Sequence, residues 1–220
     1  MNKEIIKVLE ILSKKYPSTS QTTLNRMRSQ SKTQKTAFKI LISCLLSLRA
    51  RDENTEKVSK QLFEVAETPE QILKLPIAKL EKLIFSSGHY HKKAQALKSV
   101  SKEILERFNG KVPQTRDELL SIKYIGPKTA NIVLAFAFGE CVIPVDTHCH
   151  RIPNRLGWIE TKTPEKTEIE LMKLIPDKYK CEFNAIFVQF GRDICVPISP
   201  KCSICPISSH CKKVGVVKTR

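Results

Sequence analysis

The chain has 220 residues, 41% of them hydrophobic, enough for one large or two small domains with proper cores, which excludes a disordered chain. Its formal net charge is +16 at pH 7 and its pI about 9.6. Such self-repulsion is costly to a compact chain unless a polyanion shares its surface, so nucleic acid is the expected partner, ahead of an anionic membrane.

Residues 3–15 read as an amphipathic helix, with Ile5, Ile6, Val8, Leu9, Ile11 and Leu12 interrupted by Glu4, Lys7 and Glu10. That spacing argues against a signal peptide, and no run approaches the roughly 18 apolar residues of a membrane span. The expectation is an intracellular, cytoplasmic and nucleoid-associated protein without membrane contact. Eight cysteines in a reducing compartment then suggest metal binding or buried thiols rather than disulfides.

Residues 17–36 are rich in Ser, Thr and Lys and read as a linker. "AFKILISCLLSL", residues 37–48, is apolar on nearly every face and predicts a fully buried helix, with Cys44 as core packing. Helix starts are signalled by Asp52–Thr55, by Thr68-Pro69-Glu70-Gln71, by Thr115-Arg116-Asp117-Glu118 and by Thr163-Pro164-Glu165. The second and third of these are capping boxes, and the last opens a helix through Leu174. Gly88, Gly110, Gly126, Gly139 and Gly157 punctuate the joins. No alternating strand pattern persists, so the predicted fold class is all-α. Composition shifts again near Gly139-Glu140, where the chain becomes richer in Cys, His and Pro.

"YIGPKTANIVLAFAFG", residues 124–139, predicts a largely buried helix opened by Gly126-Pro127. Lys128 falls in its first turn, where the helix dipole disfavours a cation. With partial desolvation added, the positive form is opposed twice, and a neutral amine is a nucleophile that forms Schiff bases. A lysine that snorkels to solvent or touches a phosphate explains the same pattern equally well. Asp146, in "VIPVDTHCHRIPNRLGW", follows an apolar run and reads as an N-cap whose carboxylate can also face a cleft. His148 and His150 form a weak metal pair and are expected to face solvent or a phosphate. Pro153 is expected to kink any helix through 147–156.

The tail "CVPISPKCSICPISSHC" places Cys195, Cys202, Cys205 and Cys211 in a C-x6-C-x2-C-x5-C pattern. From Cys195 onward too few apolar residues remain for packing alone to hold the segment. Four thiolates so close can converge on one metal centre that folds it. One Cys-x-x-Cys knuckle with two outlying ligands leaves zinc and iron–sulfur both open. His210 reads as a surface residue, and Cys141, Cys149 and Cys181 receive no role.

Together, "IGPKTAN", "VDTHCHR" and the four-cysteine tail resemble the endonuclease III family, helix-hairpin-helix DNA glycosylases of base-excision repair. "LLSLRARD", "GHYHKKA" and "GKVP" follow in the family's order, so the resemblance runs over nearly the whole chain. It implies two helical lobes flanking a DNA-binding cleft. One is a six-helix barrel over about 30–140, with its hairpin at about 115–138. The other is a discontinuous lobe of 1–29 and 141–220 holding a [4Fe-4S] cluster on residues 195–211. It implies Lys128 as nucleophile and Asp146 as acidic partner in a bifunctional glycosylase and AP lyase acting on damaged, oxidised pyrimidines. The superfamily's adenine-mismatch glycosylases lack this lysine. The implied partner is double-stranded DNA with damaged bases or abasic sites, bound by a monomer through Arg49, His89, Lys123, Gly126, Thr129, His148 and Arg151.

Three positions depart from the family's pattern. Tyr124 replaces the first glycine of the hairpin, so the turn is open to change. Arg49 stands where a glutamine fills the gap left by the flipped base, and His89 where an apolar wedge is common. Lesion choice and opposite-base preference therefore do not follow from the resemblance. A same-fold glycosylase for mismatched or deaminated bases, and a non-catalytic damage-binding protein, are the alternatives.

Overall fold

The computed structural model describes residues 2–17, 33–48 and 52–220, and no strand forms among them. The chain sorts into two units, residues 21–140 and residues 1–20 with 141–220. No helix among the described residues is long and apolar enough to cross a membrane.

In the unit of residues 21–140, helix α1 (Gln34–Ser47) buries Ala37, Phe38 and every residue from Ile40 to Leu46. It begins at Gln34, ahead of the expected 37, because Thr33 caps it: the Thr36 amide donates to Thr33 Oγ1 at 3.1 Å. The rest of the predicted linker falls on residues 18–32, outside the described residues, as does Arg49. After α1 come α2 (Asp52–Phe63), α3 (Pro69–Lys74), α4 (Ile77–Ile84), α5 (Tyr90–Phe108), α6 (Arg116–Leu120) and α7 (Pro127–Val133), of which α2, α5 and α7 pack on α1. The Thr68 capping box is complete: the Gln71 amide donates to Thr68 Oγ1, and Gln71 Oε1 accepts from the Thr68 amide. Thr115 caps α6, but Glu118 accepts from the Thr115 hydroxyl rather than from its amide, so only half of that box forms.

Two lysines of α5 point inward. Lys93, 6% exposed, donates to the carbonyls of Leu46 and Ser87 at 2.7 Å each, tying the end of α1 to the turn before α5. Lys98 donates to the carbonyls of Leu73 and Leu75 at the end of α3. Burial favours the neutral amine at both. Their cationic ends lie against helix C-terminal carbonyls, where the dipole welcomes positive charge.

In the other unit, α8 (Asn2–Lys15) buries Ile5, Val8, Leu9 and Leu12 to 1% exposure or less. They share a core with α9 (Thr147–Leu156) and α10 (Pro164–Leu174), and with Phe183, Phe187 and Phe190 of α11 (Asp177–Asp193). The α9 helix runs through Pro153 without a break, and Asn154 Nδ2 donates to the His150 carbonyl at 2.7 Å beside it. Gly191 lets α11 approach α9 closely: a Cβ built there would lie 2.2 Å from His148 Nδ1 and 3.0 Å from Ile152 Cδ1. Alanine in place of a helical glycine ordinarily stabilises by about 0.5–1 kcal/mol. Here Gly191→Ala is expected to destabilise by about 1–3 kcal/mol, because the added methyl overpacks the interface. Chemical denaturation of the two proteins measures the sign.

Candidate functional site

The hairpin is α6, a turn over residues 121–126, and α7. Its turn is braced by the C-terminal half of α5. The Lys123 amide donates to Glu103 Oε1 at 3.2 Å, and Arg107 donates to the Ser121 hydroxyl at 2.8 Å and the Ser121 carbonyl at 3.2 Å. Arg107 also pairs with Glu103 at 2.7 Å. Tyr124 takes φ 72, the left-handed conformation a glycine would adopt. The substitution thus leaves the turn's backbone glycine-like, at the cost of a strained tyrosine. Its ring is 44% exposed, with Lys123 Nζ 5.1 Å from its centroid.

Gly126 is the N-cap of α7, has no side-chain cap, and would place a Cβ in open space. Pro127 has no amide proton, so the Lys128 and Thr129 amides begin the helix. Residues 129–133 are all buried, yet Lys128 is exposed. The partial desolvation expected of it is not found. The first turn projects from the core and carries the amine with it. Its charge is still felt inside: burial pushes the Cys44 thiol up to about 12, and Lys128 partly offsets this. Beyond α7 the helix widens into a π turn over Leu134–Phe138, a feature frequent at functional sites.

Asp146 belongs to the other unit, at the N-cap of α9. Its Oδ1 accepts from the His148 amide at 2.9 Å and the Cys149 amide at 2.8 Å. Pro144 and Val145 before it are buried, and Asn184 Nδ2 donates to the Pro144 carbonyl at 2.7 Å.

The four tail cysteines are brought together. Cys195, Cys202, Cys205 and Cys211 line one pocket with Ile152, Leu156, Phe190, Ile194, Pro200 and Ile207. Burial raises the Cys205 and Cys211 thiols, and the neighbouring thiols add to it. Arg155 Nη1 lies 3.5 Å from Cys195 Sγ and the Lys213 amide 3.3 Å from Cys211 Sγ, donors suited to thiolates. Among the described residues, no three His, Cys, Asp or Glu side chains are grouped to hold a single metal ion. Four half-buried thiols lining one apolar pocket are placed to hold a metal centre. His210 Nδ1 is 3.4 Å from Glu4 of α8.

Several residues expected at DNA have other partners. Arg151, half-buried, donates to the Cys195 carbonyl at 2.7 Å and lies 3.1 Å from His148 Nδ1. His148 packs on Gly191, His150 Nδ1 lies 2.6 Å from Thr167 Oγ1, and both side chains are half-buried. Thr129 is 6% exposed. His89 and Lys123 are exposed, and His89 is left-handed at φ 49. Sequence reasoning missed Lys93 and Arg155. Lys93 lies on the buried stripe of α5 with Leu97, Val100 and Ile104, a phase that marks a cation directed inward. Arg155 donates to the carbonyls of Val196 and Pro197, fastening the cluster loop to α9, and no local signal distinguishes it.

Residues 42–177 match the model of the HhH-GPD superfamily base excision DNA repair proteins, and residues 195–211 match the iron-sulfur binding domain of endonuclease III. The chain is 47% identical to endonuclease III of Thermotoga maritima over 175 residues, covering 80% of this chain and 82% of that protein. It is 36% identical to endonuclease III of Bacillus subtilis over 188 residues, covering 82% and 86%. A trapped covalent endonuclease III–DNA intermediate superposes with a TM-score of 0.85 at 32% identity, over 97% of this chain and 96% of that one. A thermostable thymine-DNA glycosylase shares the fold, with a TM-score of 0.83 at 24% identity over 96% and 97%. The cofactor is a [4Fe-4S] cluster, as the matched cysteine segment requires. The chain belongs to the endonuclease III family of the HhH-GPD superfamily of base excision DNA repair proteins.

Proposed function

We propose that the chain excises oxidised pyrimidines from double-stranded DNA and cuts the resulting abasic strand by β-elimination, acting as a monomer on the nucleoid in the cytoplasm. The observation that carries this reading is Lys128, an exposed amine on the first turn of a helix otherwise buried from Thr129 to Val133. Solved endonuclease III, 32% identical, has been trapped covalently on DNA, which supports a covalent route here.

The damaged nucleotide is flipped from the duplex. Lys128 Nζ, as the neutral amine, attacks C1′ of the sugar and the base leaves. Asp146 offsets the positive charge developing on the sugar, or takes the amine's proton. Its Oδ1 is engaged by two amides, so Oδ2 is the oxygen assigned to that role. The Schiff base acidifies the C2′ proton, and elimination breaks the strand on the 3′ side. The amides at the Gly126–Thr129 helix start hold a backbone phosphate. Cys195, Cys202, Cys205 and Cys211 hold the cluster, which when bound serves as a structural cross-link for the tail. His89, exposed and left-handed, is the residue that meets the opposite strand.

Borohydride reduction during turnover is expected to trap the protein on DNA. Lys128→Ala should abolish the adduct and slow strand cleavage by more than about a thousandfold. Asp146→Asn keeps an acceptor for the cap and should slow cleavage by about a hundredfold with little loss of thermal stability. An undiminished adduct in Lys128→Ala overturns the assignment. Duplexes bearing thymine glycol, uracil, hypoxanthine or an abasic site rank the lesions, and preference for deaminated bases would favour the mismatch reading. Cys205→Ser is expected to lose the cluster's visible absorbance and to melt at a lower temperature. Affinity for undamaged duplex, measured by fluorescence anisotropy, should fall by about tenfold or more between 50 and 200 mM salt.

A further inference from the structure

The base-excision chemistry makes no use of Cys141 or Cys181. Cys141 opens the segment that runs to Asp146, and Cys181 stands on α11. Both belong to the same unit. Cys141 is exposed and Cys181 half-buried, and their sulfurs are 3.7 Å apart. Asn184 follows Cys181 by nearly one helical turn and donates to the Pro144 carbonyl at 2.7 Å. Residues three apart share a helix face. The segment therefore lies along one face of α11, touching it at 141 and 144, with Ile143 and Val145 buried in the core. A disulfide sets its sulfurs about 2.05 Å apart, so less than about 2 Å remains to be closed.

We propose that Cys141 and Cys181 form a reversible dithiol–disulfide couple, a redox-modification site that ties the Asp146-bearing segment to α11. The oxidant is a small disulfide such as glutathione disulfide. The exposed Cys141, as thiolate, attacks one sulfur of glutathione disulfide and expels a glutathione thiolate. Cys181, as thiolate, then attacks the Cys141 sulfur of the mixed disulfide and expels the second. Two electrons pass from the cysteine pair to glutathione disulfide. The two thiol protons end on the two glutathiones released. The bridge closes a 40-residue separation that contains α9 and α10, and so restricts the unfolded chain. The proposal stands apart from the role given to Lys128.

The test equilibrates cluster-loaded protein in buffers of reduced and oxidised glutathione, quenches with acid and alkylator, and maps peptides by mass. The expected product is lighter by two hydrogens, carries one Cys141–Cys181 cross-linked peptide, keeps its cluster absorbance and melts several degrees higher. Cys141→Ser and Cys181→Ser should each eliminate that peptide, the remaining cysteine taking at most a single glutathione. Glutathione accumulating on wild-type Cys141 without the cross-link overturns the proposal. So does a cross-link that forms only after the cluster absorbance is lost.

Discussion

The amine of Lys128 stands in the open on a helix whose remaining residues are core. That constraint orders the hairpin. Residues 129–133 are buried and bind α7 into its unit, and only the first turn emerges. Pro127 allows this, since it has no amide to satisfy. The turn before it carries a left-handed tyrosine, an unfavourable conformation for a residue with a Cβ. Glu103 and Arg107 hold it in place through the Lys123 amide and Ser121. Placement of Lys128 thus depends on a carboxylate and a guanidinium two elements earlier in the chain.

The basic composition serves two purposes. Much of the +16 charge lies on exposed lysines, as a polyanion partner requires. Another share is internal. Lys93 and Lys98 tie off helix ends, and Arg151 and Arg155 grip the carbonyls of Cys195, Val196 and Pro197. Backbone carbonyls of a short irregular loop have few intrachain donors, and long cations reaching from a neighbouring helix supply them. The cluster loop is thereby held from α9 by hydrogen bonds as well as by its thiols. A count of positive charge alone overstates what is available to a phosphate backbone.

Local chemistry was legible where one side chain decides the outcome. Thr68 and Thr163 start helices where expected, and the helix from Thr163 ends at Leu174. Asp146 caps α9 as read, and the four cysteines share one pocket. The misses come from tertiary partners. Thr33 extends α1 to Gln34, although residues 34–36 are too polar to suggest a core helix. The half-buried His148 and His150 meet Gly191 and Thr167, distant in sequence, contacts that no local pattern signals. The exposure of Lys128 shows that an apolar neighbourhood in sequence does not bury the residue that opens a helix.

The π turn at Leu134–Phe138 has a bearing on how this helix tolerates change in chain length. Such a turn holds one residue more than the α-helical path needs. Because the extra residue lies downstream of Val133, its removal would let the stretch relax to ordinary helix while the phase of Lys128 stayed set by α7. A single-residue deletion is thus best accommodated between 134 and 138, and the distance from the amine to the hairpin turn is protected from it.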